Sequence, residues 1–456
     1  MYDLKIVNGI YPDFRNKDLV RKNIYIKNDK IKEISLENKK AEKTIDAEGS
    51  IVSPGFIDIH MHEEELDTYD TEEKYYIGNR MLRMGVTTCL TGNCGINYQD
   101  PEIFIKETEK DGYPVNYMMK LGHNYLRKEA GIESPYREAE KNELIKMKEI
   151  AEEKLKLGLK GISFGIEYQP GISFEEMLEL TKVLKEDNRY FISAHYRSDG
   201  PDSVDSIKEM IKLGKESGLL IEISHIGSCS AFGFMKEALK EIRKAKDNGV
   251  KVSADCYPYD AFCTHIGSTV FDDGCFERWN SDYSDILLTD KPYKNIRCTK
   301  EIFEDARKNH PNMLAVAFVM NEKEVIEAYN EPYMIVASDG IYNGNSGHPR
   351  GAGTFPRFLG RYVRNKKDIN MLDALKKMTL MPADILGLKN KGKIEEGKDA
   401  DLVIFNPNLI DDNADFVNDP TAGNEGIKNV IIKGKIALED GVVKKRNLGR
   451  FIKNKI

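Results

Sequence analysis

Histidines in this chain occur where short apolar segments end, which is where a metal or catalytic site can be assembled. His60 and His62 form a His-x-His pair at the end of the first segment, and His195 and His225 end two later ones. Because side chains alternate along a strand, both imidazoles of such a pair point to one side. Cys94 lies in the glycine-flanked turn GNCG after the second segment. Imidazole and thiolate are preferred zinc ligands, so these residues predict a zinc site.

Each of these residues also has a simpler interpretation. A lone buried histidine is more often a hydrogen-bonded core residue than a ligand, and a small buried thiol is ordinary in a protein core. The spacing favours the metal, because His195, His225 and Asp255 are thirty residues apart and so take equivalent places in successive structural units. A catalytic zinc has three protein ligands and keeps one position open for water. We therefore expect a catalytic metal.

Other polar residues beyond these segments predict the rest of the site. Asp339, in VASDG, is the candidate general base for a metal-activated water, and a turn or helix-capping carboxylate is the alternative. Arg350, in HPRGAG, could hold a substrate carboxylate through two hydrogen bonds. Tyr168 and Tyr257 are candidate hydrogen-bond donors to substrate, with packing at the rim as their alternative.

Three further residues are weaker candidates. His123 and Asp255 are expected to orient ligands rather than to bind the metal themselves. Glu167 ends the fourth segment and stays without an assigned role. No phosphate-binding glycine motif is present, so nucleotide binding has no support.

The segments that must position these residues alternate with helical stretches such as 138–157 and 202–217. Nine segments have strand character: 56–62, 86–92, 115–122, 159–166, 190–196, 219–226, 250–257, 313–320 and 333–339. A spacing near thirty residues predicts a (β/α)8 barrel over 54–390, with its active site at the carboxyl ends of the strands. The surplus strand is assigned to 313–320, because 261–312 interrupts the alternation. That interruption is expected to be a lid or insertion near the site.

The two ends of the chain predict a second, smaller unit. Residues 1–53 and 391–456 consist of short β-branched runs separated by Asn, Asp and Gly. Neither end can bury a large core alone, so we expect them to pack together as one small β-sandwich domain. The predicted fold class is therefore α/β, a TIM-like barrel with an appended β domain.

Composition excludes several classes of protein. The 456 residues are 40% hydrophobic and carry a net charge of −7, which argues against disorder and against nucleic acid as a partner. No apolar run approaches the roughly 20 residues of a membrane span, and the N-terminus has no signal-peptide pattern. Seven cysteines without a CxxC pair indicate free thiols and a cytoplasmic location. A monomer or small homo-oligomer is expected.

Longer motifs carry a resemblance to a known family. FIDIHMH after VSPG, and GKIEEGKDADLVIFNP near the end, resemble the amidohydrolase superfamily. The D-aminoacylase (N-acyl-D-amino-acid deacylase) family is matched more closely, from the first strand to the C-terminus. That resemblance is carried by GNCG, FGIEYQPG, SAHYRSDG, ISHIG, DCYPYDA, ASDG and HPRGAGTFPRFLGRYVR.

The resemblance implies a role for each matching residue. It implies a tightly bound zinc on Cys94, His195 and His225, and a second, weaker metal site on His60, His62 and Cys94. Asp339 would be the catalytic acid/base. Arg350 would contact the substrate carboxylate, with Tyr168 and Tyr257 lining the pocket.

Two positions depart from the family pattern. Gly227 stands where the family usually has a lysine, and Cys263 where it often has a serine, both near the substrate carboxylate. The predicted function is zinc-dependent cleavage of an N-acyl-D-amino acid or a related amide, releasing an amino acid and a carboxylate. One alternative is a cyclic amidase that opens a hydantoin, dihydropyrimidine or lactam ring. The other is a non-catalytic barrel, which is disfavoured because such a protein would be expected to lose metal ligands, and every ligand position here is occupied by a suitable residue.

Overall fold

The computed structural model describes residues 1–66, 73–184 and 189–454. Parallel strands form two sheets, whose hydrogen-bonded order follows the chain. The first contains Phe56–Asp58, Val86–Thr91 and Asn116–Met119. The second contains Leu121–Gly122, Gly161–Gly165, Phe191–His195, Leu220–Ile223, Val252–Cys256 and Met334–Val336.

The two sheets meet at both edges. Only Lys120 separates Asn116–Met119 from Leu121–Gly122, and its backbone N–H donates to the Thr91 carbonyl at 2.9 Å. At the other edge, Met61 and Gly340 form a parallel bridge. Successive parallel strands in chain order with helices between them are the arrangement of (β/α)8 barrels.

Each segment with strand character contains a strand, but the strands are shorter than the segments. The first strand ends at Asp58, so His60 and His62 lie beyond it rather than within it. His225 and Asp339 also follow their strands by two or more residues. The site residues therefore lie on the connections at the carboxyl ends of the strands, where backbone direction is less restricted than in a sheet.

Helices lie between most of the parallel strands, and two of the helices belong to the 261–312 region. The helices are Tyr76–Arg83, Pro101–Asp111, His123–Ala130, Lys141–Leu155, Phe174–Thr181, Ser203–Ser217, Ile226–Ser230, Met235–Asp247, Cys275–Trp279, Lys300–Asn309, Glu322–Tyr329, Arg350–Arg357, Met371–Met378 and Leu380–Leu386. A π-helix, Phe358–Asn365, continues Arg350–Arg357. Among the described residues, no helix combines the length and the apolar character needed to cross a membrane.

The region 261–312 builds a separate antiparallel sheet. Its order is Phe262–His265, Leu314–Ala317, Ile286–Leu288 and Ile296–Arg297. The segment 313–320 thus contributes a strand to this sheet and lies outside the parallel ones, as expected. Beyond it, Tyr342–Asn343 and Ser346–Gly347 form a short hairpin.

Strands from the two ends of the chain form two further sheets and two short pairs. One sheet has the order Lys30–Ser35, Asn23–Lys27, Tyr2–Val7 and Ala41–Asp46. The other has the order Val442–Val443, Lys435–Glu439, Ile427–Ile432, Leu402–Phe405 and Ile51–Pro54. The short pairs are Tyr11–Asp13 with Asp18–Val20, and Asp411–Asp412 with Asn424–Glu425. One apolar cluster contains residues of both ends, including Ile24, Val52 and Leu402.

The Leu402→Ala substitution is expected to lower the free energy of unfolding by about 2–5 kcal/mol, because it leaves a cavity in this shared cluster. Leu402 is fully buried, whereas Leu409 is 49% exposed. Leu409→Ala is the matched control and is expected to change stability by no more than about 0.5 kcal/mol. Urea unfolding followed by circular dichroism measures both. Equal effects of the two substitutions would contradict a shared core.

Candidate active site

Four buried side chains of different chemical type converge at the carboxyl ends of the strands. Potential ligand atoms of His60, Cys94, His225 and Asp339 all lie within 4.8 Å of one another. The Cys94 Sγ is 3.2 Å from His60 Nε2 and 3.3 Å from His225 Nε2, and Asp339 Oδ1 is 3.4 Å from His60 Nε2. Two imidazoles, a thiol and a carboxylate form a donor set that suits zinc. The residues present therefore fit a metal ion.

Backbone geometry aims three of these side chains at one point. Cys94, His225 and Asp339 have φ angles of 52°, 32° and 49°, in the left-handed region that residues with a side chain seldom adopt. Such strain persists where the surrounding structure enforces it and is concentrated at functional sites. Gly95, with φ of 75°, lets the turn pass Asn124, because an added Cβ would lie 2.7 Å from the Asn124 Oδ1.

Asn93 connects the turn of Cys94 to the segment that carries the His-x-His pair. Its Nδ2 donates to the Leu90 carbonyl at 2.9 Å and to the Met61 carbonyl at 3.3 Å. The Met61 carbonyl lies between His60 and His62, so one buried amide holds both ligand-bearing segments together. Sequence reasoning missed this residue, although its place in GNCG was a signal.

His62 approaches the cluster through Asp339. Its Nε2 lies 3.2 Å from Asp339 Oδ1, and its Nδ1 is buried with no hydrogen-bond partner among the described residues. The His-x-His pair therefore brings both imidazoles to the same carboxylate, although both residues follow the strand rather than alternate along it.

His195 lies beside the cluster rather than within it. Its ring centroid is 4.5 Å from that of His225, but its Nε2 contacts Glu167 Oε2 at 2.6 Å. Its ligand atoms group with those of Glu167 and Cys229, and its Nδ1 is buried without a described partner. The set Cys94, His195 and His225 therefore stays a prediction, with Glu167 competing for one His195 nitrogen.

Asp255 supports the cluster from behind, as expected of an orienting residue. Its Oδ2 lies 2.9 Å from His60 Nδ1, and its Oδ1 accepts from the His225 backbone N–H at 2.8 Å. A carboxylate on the far nitrogen of a ligating histidine fixes its tautomer and orientation. Ser228, which sequence reasoning missed, serves His225 similarly, with its Oγ 2.8 Å from Nδ1. By contrast, the described contacts of His123 run to Glu176 rather than to this cluster.

Arg350 binds the candidate general base. Its Nη2 lies 2.9 Å from Asp339 Oδ2, and its Nε donates to the Asp339 carbonyl at 2.8 Å. Burial alone would raise the pKa of Asp339, but the adjacent Arg350 guanidinium holds this pKa well below its usual range. The carboxyl is therefore ionised at neutral pH, which is the form that accepts a proton.

A small cavity opens next to this cluster. Its lining residues are Glu167, Tyr168, His195, Asp199, His225, Ser228, Tyr257, Phe262, Cys263, Thr264, Val270, Asp339 and Arg350. Tyr168 packs on the His195 ring at 4.5 Å, and Tyr257 lies under the Arg350 guanidinium at 4.6 Å. The predicted substrate-binding residues thus share one cavity with Asp339, and the 261–312 region supplies part of its wall.

The two departures from the family pattern differ in surroundings. Cys263 lines the cavity, and its carbonyl accepts from Arg350 Nη2 at 3.0 Å. Gly227 is enclosed, since an added Cβ would lie 3.0 Å from Cys256 Sγ and 3.1 Å from Met320 Cε. Met320 therefore fills space next to Gly227.

The sequence and the fold together place the chain in a family. The chain belongs to the amidohydrolase family, whose model matches residues 51–437. A D-aminoacylase of Alcaligenes xylosoxydans xylosoxydans is 29% identical over 99% of this chain and 97% of the relative. An N-acyl-D-glutamate deacylase of the same organism is 28% identical over 95% of this chain and 93% of the relative.

A solved structure extends the likeness to the fold. The N-acyl-D-glutamate deacylase of Bordetella bronchiseptica, complexed with zinc and a phosphonate inhibitor, superimposes with a TM-score of 0.86 at 25% identity. The match covers 99% of both chains. The resemblance to the D-aminoacylase family is therefore confirmed along the whole chain.

Proposed function

We propose that this chain is a metal-dependent hydrolase that cleaves N-acyl-D-amino acids to a free D-amino acid and a carboxylate. The observation that carries the proposal is the convergence of His60, Cys94, His225 and Asp339 beside a cavity that also contains Arg350. The near full-length likeness to D-aminoacylase supports the substrate class.

Zinc is the proposed metal. Cys94, His195 and His225 would hold one ion tightly, and His60 and His62 with Cys94 would form a weaker second site. When bound by these residues, the metal would supply Lewis-acid chemistry, lowering the pKa of a water molecule to about 7 and polarising the amide carbonyl. The buried histidine nitrogens without described partners support this assignment.

The remaining chemistry belongs to the side chains around the metal. Asp339 takes the proton of the attacking water and returns it to the leaving nitrogen. Arg350 keeps Asp339 ionised and, with Tyr257, faces the substrate carboxylate. Tyr168 is positioned to donate its hydroxyl hydrogen to the developing oxyanion. Cys263, in place of the serine that is common in the family, would alter how this pocket holds the substrate carboxylate. Gly227 is enclosed and adds no charge to the pocket.

The proposed architecture is a closed (β/α)8 barrel over 54–390 with the 261–312 insertion above its mouth. Residues 1–53 and 391–456 would form one small β-sandwich domain. The pairing of Ile51–Pro54 with Leu402–Phe405 supports this division, because it joins the two ends of the chain in one sheet.

Hydrolysis assays with zinc-loaded protein test the function. We expect N-acetyl-D-methionine and N-acetyl-D-leucine to release free amino acid, their L-enantiomers to react far more slowly, and a chelator to abolish release until zinc is restored. Activity on a hydantoin or dihydropyrimidine alone would overturn the linear-amide assignment in favour of ring opening. If the metal-loaded protein hydrolysed none of these amides, the proposal that it is a hydrolase would be contradicted.

A further inference from the structure

One wall of the cavity is acidic. Glu167 and Asp199 both line it, and both side chains are almost fully buried. Arg278, from the 261–312 insertion, donates from Nε to Asp199 Oδ1 at 2.7 Å, and its Nη2 lies 3.8 Å from Glu167 Oε1. Trp279 donates its indole N–H to the other Asp199 oxygen. The insertion thus holds the Asp199 carboxylate against the cavity, while Glu167 faces Arg278 at a longer distance and has its nearer contact with His195 at 2.6 Å.

The charges around the cavity leave no cation for a second acidic group of a substrate. Among the described lining residues, Arg350 alone is permanently cationic, and Asp339 already pairs with it at 2.9 Å. Arg278, behind the wall, is shared by Asp199 and Glu167. Burial and the charge of Glu167 raise the pKa of Asp199, because negative charges close together in this region oppose one another.

The uncharged residues that line the cavity add no positive charge to it. Phe262 and Val270 offer only apolar surface, and Ser228, Thr264 and the two tyrosines carry hydroxyls but no positive charge. Sequence identity does not decide the side-chain preference, because relatives named D-aminoacylase and N-acyl-D-glutamate deacylase are 29% and 28% identical to this chain.

We propose that Glu167 and Asp199 make the site reject substrates with an acidic side chain, so that it cleaves N-acyl-D-amino acids whose α-carboxylate is their only negative charge. The inference rests on the proposed function and specifies its substrate class. An acidic side chain would lose its hydration and meet two carboxylates whose nearby cation, Arg278, they already share, which is unfavourable.

N-acetyl-D-glutamine and N-acetyl-D-glutamate form the sharpest test, because they have nearly the same shape and differ in one charge. With zinc-loaded enzyme, kcat/KM is expected to be at least about tenfold higher for the glutamine compound. As a competitive inhibitor of N-acetyl-D-methionine cleavage, the glutamate compound is expected to have a Ki at least about tenfold weaker. Ratios within threefold in both measurements would overturn the proposal while leaving the proposed function intact.

The Asp199→Asn variant tests whether this carboxylate causes the preference for the glutamine compound. Losing this carboxylate leaves Arg278 less neutralised, so the glutamine-to-glutamate preference is expected to fall about tenfold toward equality. Asp205→Asn is the control, because it removes the same charge from a side chain that is 83% exposed. An unchanged preference in folded Asp199→Asn would overturn the role of Asp199. Should that variant not fold, the wild-type Ki ratio still decides the proposal. Failure of all N-acetyl-D-amino acids to react would instead count against the proposed function.

Discussion

The Asp339→Asn variant is expected to lose turnover by a factor of about 10²–10⁴ while retaining its metal. Asparagine keeps the shape of the side chain and still offers an oxygen to Arg350, but it cannot accept and return a proton. The cluster would keep His60, Cys94 and His225 as ligands. Steady-state kcat together with the metal content of the purified protein measures both parts of the expectation.

The control must also remove a buried carboxylate that pairs with an arginine. Asp412 meets this need, because its side chain is 5% exposed and its Oδ2 lies 3.4 Å from Arg357 Nη1. Asp412 is not among the residues lining the cavity. Asp412→Asn is expected to keep kcat within threefold. Near-normal turnover in Asp339→Asn would remove the general-base role, and loss of metal would make Asp339 chiefly a ligand.

The sequence predicted the positions of the strands because each is a short apolar run bounded by turn residues. The location of a site at their carboxyl ends followed from the predicted barrel topology. That location predicts that His60, Cys94, His225 and Asp339 lie close together. Strand lengths were overestimated, because Ile59 and Met61 are apolar core residues of a connection rather than of a strand.

Partners that are distant in the chain could not be predicted. The sequence indicates no role for Glu167, yet this residue contacts His195 and lines the cavity beside Asp199. Arg278 lies 79 residues from Asp199, and nothing in the local pattern of either residue reveals their pairing. The positive φ angles at Cys94 and Asp339 were equally hidden, because tertiary contacts impose them.

Cys94→Ser is expected to weaken metal binding by more than about 100-fold and to abolish activity at limiting zinc. Even changes to residues that only orient a ligand cost about 10–100-fold in metal affinity, so loss of a central ligand should cost more. Cys94 Sγ lies close to both His60 and His225, which makes this thiol common to both proposed metal positions. A serine hydroxyl is a harder, less acidic donor and replaces a thiolate poorly.

Cobalt substitution separates ligand loss from general damage to the fold. The wild-type protein loaded with Co²⁺ is expected to show a thiolate-to-cobalt absorption band that Cys94→Ser lacks. Cys298→Ser is the matched control, because Cys298 is also buried but lies in the insertion. It should keep both the band and the activity. If Cys94→Ser bound zinc with wild-type affinity and kept the band, another thiol such as Cys229, which groups with Glu167 and His195, would have to be the ligand.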